Sequence, residues 1–376
     1  MTSRDISVRQ LAFIQFAVTA PTTLILLPAL IIEQARHDAL WSILGATFVG
    51  LIVNATVATA AAPYGPAGLF RRGFGPAWGR VATGVYWLVV GIAIVIMWGE
   101  DLAFVHTRIM PHTPLWAIGG ISLGTVVILV RGRAVGLARM VDLLVPVSVG
   151  VLVGLIGANM PRIQLWNIWP WYPVSWKAGI TAVYVPLSFI GESPIGVTFF
   201  PFVRSTSPRT FRRAILWGSG ASALLLGLIT FLTIGVLGSP LAADVPYPLF
   251  EVLATFRVGD FLTRNAIWFF VVWQNLLILK LAIWTYVWTL AGRALWPGAP
   301  RWLWLWVGLP VTLIAFLLTL STEVRQFHSI TQLWAPILFP TLIALILLGG
   351  LCRGIRSRQR SRGASSPPAN AHGEMS

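Results

Sequence analysis

Charge is scarce in this chain: Asp, Glu, Lys and Arg together make up 10% of its 376 residues, against about 25% in a soluble domain. That excludes an ordinary water-soluble globule, and a mean hydropathy of +0.78 points to an integral membrane protein. Cysteine is nearly absent. The single Cys352 excludes a disulfide framework or a cysteine-ligated metal site. No HExxH run occurs, and no second intramembrane carboxylate is evident beside Glu192, so a catalytic membrane enzyme is disfavoured and no cofactor is expected.

What the chain does have is apolar residues, 56% of the total, and nineteen tryptophans, a residue that favours the membrane–water interface. Ten apolar segments approach the roughly 20 residues needed to span hydrocarbon. They are Leu11–Ile32, Leu40–Ala62, Trp78–Phe104, Leu115–Val130, Met140–Ala158, Gly179–Phe202, Ala214–Leu237, Ala266–Leu290, Leu303–Leu320 and Leu333–Leu351. The first is too long for a signal-peptide core. The reading is a polar N-terminus (1–10), a ten-helix membrane domain (11–351) and a basic disordered tail (352–376).

Nineteen basic residues fall on one face of this arrangement and seven on the other, with Lys280 inside a span. The positive-inside rule puts both termini in the cytoplasm. This asymmetry accounts for the net charge of +15 without a nucleic-acid partner. Arg353, Arg356, Arg358, Arg360 and Arg362 in the tail should attract anionic inner-leaflet lipids.

Glu192 lies within Pro186-Leu-Ser-Phe-Ile-Gly-Glu-Ser-Pro-Ile-Gly196, in the middle of an apolar span. Two prolines and two glycines cannot hold a regular helix there. Broken backbone at bilayer depth survives only inside protein or along a cavity, and an acid at that depth marks a functional site. The first span is similarly interrupted by Thr19-Ala-Pro-Thr-Thr23, with Pro28 a turn further on. Five segments separate the breaks, an odd number, so the halves enter the bilayer from opposite sides. Paired interruptions of this kind point to a five-plus-five inverted repeat with a site at its centre.

Several short stretches stand out, in order: Ile6-Ser-Val-Arg-Gln10, Leu27-Pro28, Asp38-Ala-Leu-Trp-Ser42, Gly136-Leu-Ala-Arg139, Asn167 with Pro170, Phe189-Ile-Gly-Glu192, Tyr247-Pro248 and Phe261-Leu-Thr-Arg264. Together they resemble the spore germination permeases, the B subunits of GerA-type germinant receptors within the amino acid–polyamine–organocation transporter superfamily. The resemblance implies a LeuT-like fold of ten helices with helices 1 and 6 broken. It also implies residence in the inner membrane of a spore beside A and C subunits, and recognition of a small germinant such as an amino acid. The chain departs from the family in having Ala20-Pro21-Thr22-Thr23 where a glycine-containing break is usual.

The candidate ligand-binding residues are Thr19, Pro21, Thr22 and Thr23 at the first break, and Ser188, Gly191, Glu192 and Ser193 at the second. Glu192 can bind an amine, carry a proton or pair with a buried charge; the bland alternative is a protonated carboxyl bonded to free backbone. Lys280 lies 14 residues into span eight, about 21 Å at 1.5 Å per residue, too deep to snorkel. It either substitutes for a cation near helices 1 and 8, a sodium site in the superfamily, or forms a structural pair, with Glu192 the obvious partner. The threonine hydroxyls can equally bond back to their own helix. Glu100 and Asp101 read as capping or water-facing groups at the outer end of span three. Asn54, Asp142, Gln274 and Asn275 read as helix–helix hydrogen-bonding groups. Two functions fit: a germinant-sensing subunit, or a proton-coupled amino acid transporter working through Glu192 and Lys280.

Overall fold

The computed structural model describes residues 5–169, 172–204, 207–255, 265–319 and 328–364. Among these the secondary structure is helical, apart from one isolated parallel bridge between Ile6 and Val203. Seven helical stretches are long and apolar enough to cross a membrane: 27–61, 76–109, 134–162, 176–202, 208–237, 266–295 and 330–357. Leu115–Arg131 and Trp304–Leu318 are shorter apolar helices. The protein is therefore an all-helical, multi-pass bundle.

Helix α1 (Val8–Ile25) starts from a capping box. Ser7 Oγ accepts from the Gln10 amide at 3.2 Å, and Gln10 Oε1 accepts from the Ser7 amide at 2.9 Å. Every residue from Ile14 to Ile32 is buried, as expected of a helix that is apolar on all sides. The interruption expected at Thr19–Thr23 is displaced. The chain stays helical through Pro21, and the only residue outside a helix is Leu26, before α2 (Leu27–Ala35). Two prolines explain the position. Pro21 cannot donate to the Ala17 carbonyl, nor Pro28 to that of Leu24. The bonds from Leu26 to Thr22 and from Leu30 to Leu26 are both long, at 3.3 Å.

The chain continues through α3 (Ala39–Ala61), α4 (Gly65–Phe74), α5 (Pro76–Phe104), α6 (Leu115–Arg131) and α7 (Ala134–Asn159). The segment with Glu192 is then divided into α8 (Trp176–Ala182), α9 (Tyr184–Ile190), α10 (Ser193–Gly196) and a 3-10 stretch, Val197–Phe202. Gly191 and Glu192 lie outside any helix. Pro194 cannot donate to the Ile190 carbonyl four residues back. Asn54 of α3 donates instead, its Nδ2 lying 2.8 Å from that oxygen and 2.9 Å from Ser219 Oγ. Gly191 is needed sterically, because a Cβ there would stand 2.5 Å from the Phe339 ring.

The helices that follow include α11 (Pro208–Leu237), α12 (Ser239–Asp244), α13 (Pro248–Ala254), α14 (Asn265–Leu295), α15 (Leu309–Thr319) and α16 (Phe339–Ala364), the last two preceded by π-helical turns at Trp304–Gly308 and Ile330–Leu338. In α14 every residue from Leu276 to Thr289 is buried. Helices α1, α10 and α14 are in mutual contact, so the buried parts of three segments share one centre. Outside them, Leu44, Phe48 and Ile52 of α3, Ile121 and Ile128 of α6, and Leu143 and Val147 of α7 form exposed apolar surface, as suits contact with lipid.

Surface segments are tied down by specific polar bonds. Asp38 accepts from the amides of Val174 and Ser175 at 2.7 and 2.6 Å, clamping the approach to α8. In the tryptophan-rich loop before it, Trp166 and Trp169 are exposed, while Pro170 and Trp171 lie outside the described residues. Arg9 pairs with Asp142 of α7 at 2.8 Å. The tail departs from expectation. Helix α16 runs to Ala364, so residues 352–364 are helical rather than disordered. Arg353 donates to the Ala62 carbonyl at 3.0 Å and Arg356 to that of Phe74 at 3.3 Å, which anchors these turns. The side chains of Arg358, Arg360 and Arg362, Asp260, the motif 261–264 and residues 365–376 lie outside the described residues.

Candidate functional site

Four side chains from four segments converge at the bundle centre. Lys280 of α14 lies 2.7 Å from Thr22 Oγ1 of α1 and 3.3 Å from Glu192 Oε2 at the break between α9 and α10. Thr22 in turn donates to Glu100 Oε2 of α5 at 2.8 Å. A hydroxyl has one proton to give and lone pairs to accept, so Thr22 relays Lys280 to Glu100. Lys280 is 1% exposed, Glu192 3% and Glu100 4%. The ammonium also lies 5.4 Å from the Phe189 ring centroid, within cation–π range.

Glu100 and Asp101 correct the sequence reading. They are buried, not water-facing, because α5 continues to Phe104 and then through a π turn, Val105–Ile109. Glu100 therefore supplies the second carboxylate near Glu192 that the sequence did not reveal. Asp101 accepts from Gln274 Nε2 of α14 at 2.7 Å. A signal was available: the apolar run Trp78–Phe104 is longer than a crossing requires, and both acids fall inside it.

The other sequence candidates are dispersed. Thr19 bonds back to the Gln15 carbonyl at 3.3 Å, Thr23 to Ala20 at 2.6 Å and Ser188 to Val185 at 2.7 Å, all local arrangements of the kind short hydroxyls adopt in helices. The Pro21 carbonyl accepts from Trp273 Nε1 at 3.1 Å. Ser193 is buried, and its hydroxyl has no hydrogen-bond partner among the described residues. Gly191 contributes shape, giving room for Phe339.

Thr22, Glu100, Glu192 and Lys280 line a cavity of about 10 Å³ closed by Phe189, Ile330, Trp284 and Trp334, room for about one water molecule. Glu100 Oε1 and the indole Nε1 atoms of Trp284 and Trp334 have no hydrogen-bond partner among the described residues. Among the described residues no group of three His, Cys, Asp or Glu is placed to hold a metal. Replacing Thr22 with Val is expected to cost about 1–3 kcal/mol, since it strips Lys280 of an acceptor and Glu100 of a donor while keeping the volume. Denaturant unfolding in detergent measures this, and an unchanged midpoint would remove Thr22 from the network.

The Lys280–Glu192 pair thus sits at a helix break within an all-helical membrane bundle. The fold is similar to that of Mhp1, a nucleobase-cation-symport-1 family transporter solved in a closed conformation with bromovinylhydantoin bound. The TM-score is 0.63 at 14% identity, over 96% of this chain and 80% of that one. The class is thus a multi-pass helical membrane protein with a LeuT-type fold. The family follows from sequence. The profile described as "Spore germination protein" matches residues 5–324, and the chain belongs to the spore germination permease family. YfkT of Bacillus subtilis (strain 168), described as a spore germination protein, is 24% identical over 218 residues. That alignment covers 54% of this chain and 56% of YfkT, so the chain spans about half the length of the curated relative it matches. Family and fold are those of permeases, not of enzymes.

Proposed function

We propose that this chain is the germinant-recognising B-type subunit of a spore germination receptor, binding a small nutrient such as an amino acid between the first, sixth and eighth spans, at α1, the α9–α10 break and α14. The observation that carries the reading is the Lys280–Thr22–Glu100 relay with Glu192 paired to the same ammonium. Two carboxylates against one lysine leave the site formally acidic, suited to a ligand amine. The indole N–H groups of Trp284 and Trp334, without a partner among the described residues, suit a ligand carboxylate. An amino acid carries both groups. The small cavity requires Phe189, Ile330 or Trp334 to move before such a ligand enters, and that movement is the event a receptor would report to A and C subunits.

In this reading the ten spans form a five-plus-five inverted repeat in the spore inner membrane, with both termini cytoplasmic. The interruptions at Leu26 and at Gly191–Glu192 are its related breaks. A second reading, proton-coupled amino acid transport, is favoured by the likeness to a transporter fold. Purified protein in proteoliposomes separates the two. Saturable binding of a labelled amino acid without accumulation is expected for the sensor; accumulation driven by a pH gradient would establish transport instead. Neither binding nor uptake across amino acids, sugars and nucleosides would overturn both.

A further inference from the structure

At the arginine-rich end of the bundle, far along the sequence from Glu192, α4 and α16 enclose a cleft of about 800 Å³. Arg71 and Arg72 line it from α4, and Arg353 and Arg356 from α16, with Tyr64, Gly75 and Ser357 between them. Among the described residues no carboxylate lines it, and none of the ion pairs involves these four arginines. A neighbouring groove of about 340 Å³ shares Arg71 and adds Arg80. Guanidinium groups gathered without a counter-charge repel one another, so an anion in the cleft would be stabilising.

The cleft is built rather than a chance meeting of loose side chains. The two helices touch through glycines: a Cβ on Gly73 would collide with the backbone of Gly349. Gly75, at φ +91, turns the chain from α4 into α5 and leaves room for the Arg356 guanidinium, which a Cβ would crowd at 3.3 Å. Arg353 and Arg356 each commit one N–H to a backbone carbonyl, those of Ala62 and Phe74, which fixes the fork and leaves other donors available. Arg72 lies 4.0 Å and Arg353 5.4 Å from the Tyr64 ring centroid. Oriented guanidinium forks bind phosphate oxygens in bidentate pairs, as they do carboxylates, and phosphate is the anion that a membrane surface supplies in quantity.

We propose that this cleft binds a phosphate group, with the headgroup of an anionic phospholipid as the favoured source and a soluble phosphate ester as the other. The lipid is favoured because exposed apolar residues adjoin the cleft in sequence, Trp78 after Pro76 and Leu351 and Ile355 beside Arg353 and Arg356. Basic pockets between membrane helices hold headgroups in this way. The site thereby selects Arg353 and Arg356 from the basic tail and joins them to Arg71 and Arg72, a pairing the sequence did not suggest.

Native mass spectrometry of delipidated protein with phosphatidylglycerol or phosphatidylcholine of identical chains tests it. Wild type is expected to prefer phosphatidylglycerol by about ten-fold or more, and Arg71→Gln/Arg72→Gln to lose about that factor. The charge-matched Arg204→Gln/Arg209→Gln, at exposed positions on the same face, should stay within about two-fold of wild type. Ser357→Glu, which places a carboxylate at the cleft from an exposed helical position, repeats the test should the double variant not fold. Competition by glycerol 3-phosphate assigns a soluble source to the site; displacement by phospholipid alone assigns the lipid. No preference in wild type and no binding of glycerol 3-phosphate would overturn the proposal. Equal losses in both double variants would overturn it too, by reducing the effect to general surface charge.

Discussion

Replacing Lys280 with Met is expected to destabilise the protein by about 3–5 kcal/mol, the cost of stranding one partner of a buried pair. Lys280 is 1% exposed and holds Glu192 at 3.3 Å and Thr22 at 2.7 Å. Methionine fills similar space, so the loss is electrostatic rather than a cavity. Adding Glu192→Gln removes the stranded charge, and the double variant is expected to recover about 1–3 kcal/mol of that loss. Thermal or denaturant unfolding of wild type, the two single variants and the double variant in one detergent measures the cycle. Additive losses would show that the two groups do not act as a pair. Binding supplies a second readout: recovery of stability without recovery of ligand affinity would mark the ammonium as a stand-in for a bound cation.

Glu192→Gln alone is expected to weaken germinant binding by about 100-fold or more while membrane insertion and folding are retained. Truncating one side of a buried hydrogen-bonded charge pair typically costs about 2–5 kcal/mol in binding. The amide is isosteric with the carboxyl and can still accept from Lys280, so the backbone break, held by Asn54 and Pro194, should survive. A thermal-shift screen of amino acids against wild type and variant reads the difference, alongside the germination response of spores carrying the variant. Undiminished sensitivity in those spores would sink the assignment of Glu192 to the ligand site.

How legible the site was differs from residue to residue. Glu192 stood out because an acid between prolines and glycines in an apolar span has few structural explanations. Lys280 stood out because of its depth. Glu100 did not, because four residues from the end of a span a carboxylate normally reaches water; only the π turn that prolongs the helix beyond Phe104, the packing of α5 against α14 and the bond from Thr22 bury it. The three threonines of the first break looked equivalent. Helix phase separates them: Thr19 and Thr23 turn back on their own carbonyls, while Thr22 alone reaches α5 and α14. The displaced break in helix 1 has a local cause too, since proline weakens the turn before it and Pro28 set that turn later than Pro21 suggested.

The sequence by itself determined that this is an all-helical membrane protein of the spore germination permease family, with a polar site near Glu192. Hydrophobic run length and the energetic cost of a buried charge or a broken helix are local properties, readable in one dimension. Only the tertiary structure decided the partners: Lys280 with Glu192, Thr22 with Glu100, Asn54 with the carbonyl that Pro194 leaves free, and Arg71 and Arg72 beside Arg353 and Arg356. Each joins segments dozens to hundreds of residues apart. Coulomb attraction and hydrogen bonding act over a few ångströms, so such pairings exist only once packing has brought the helices together.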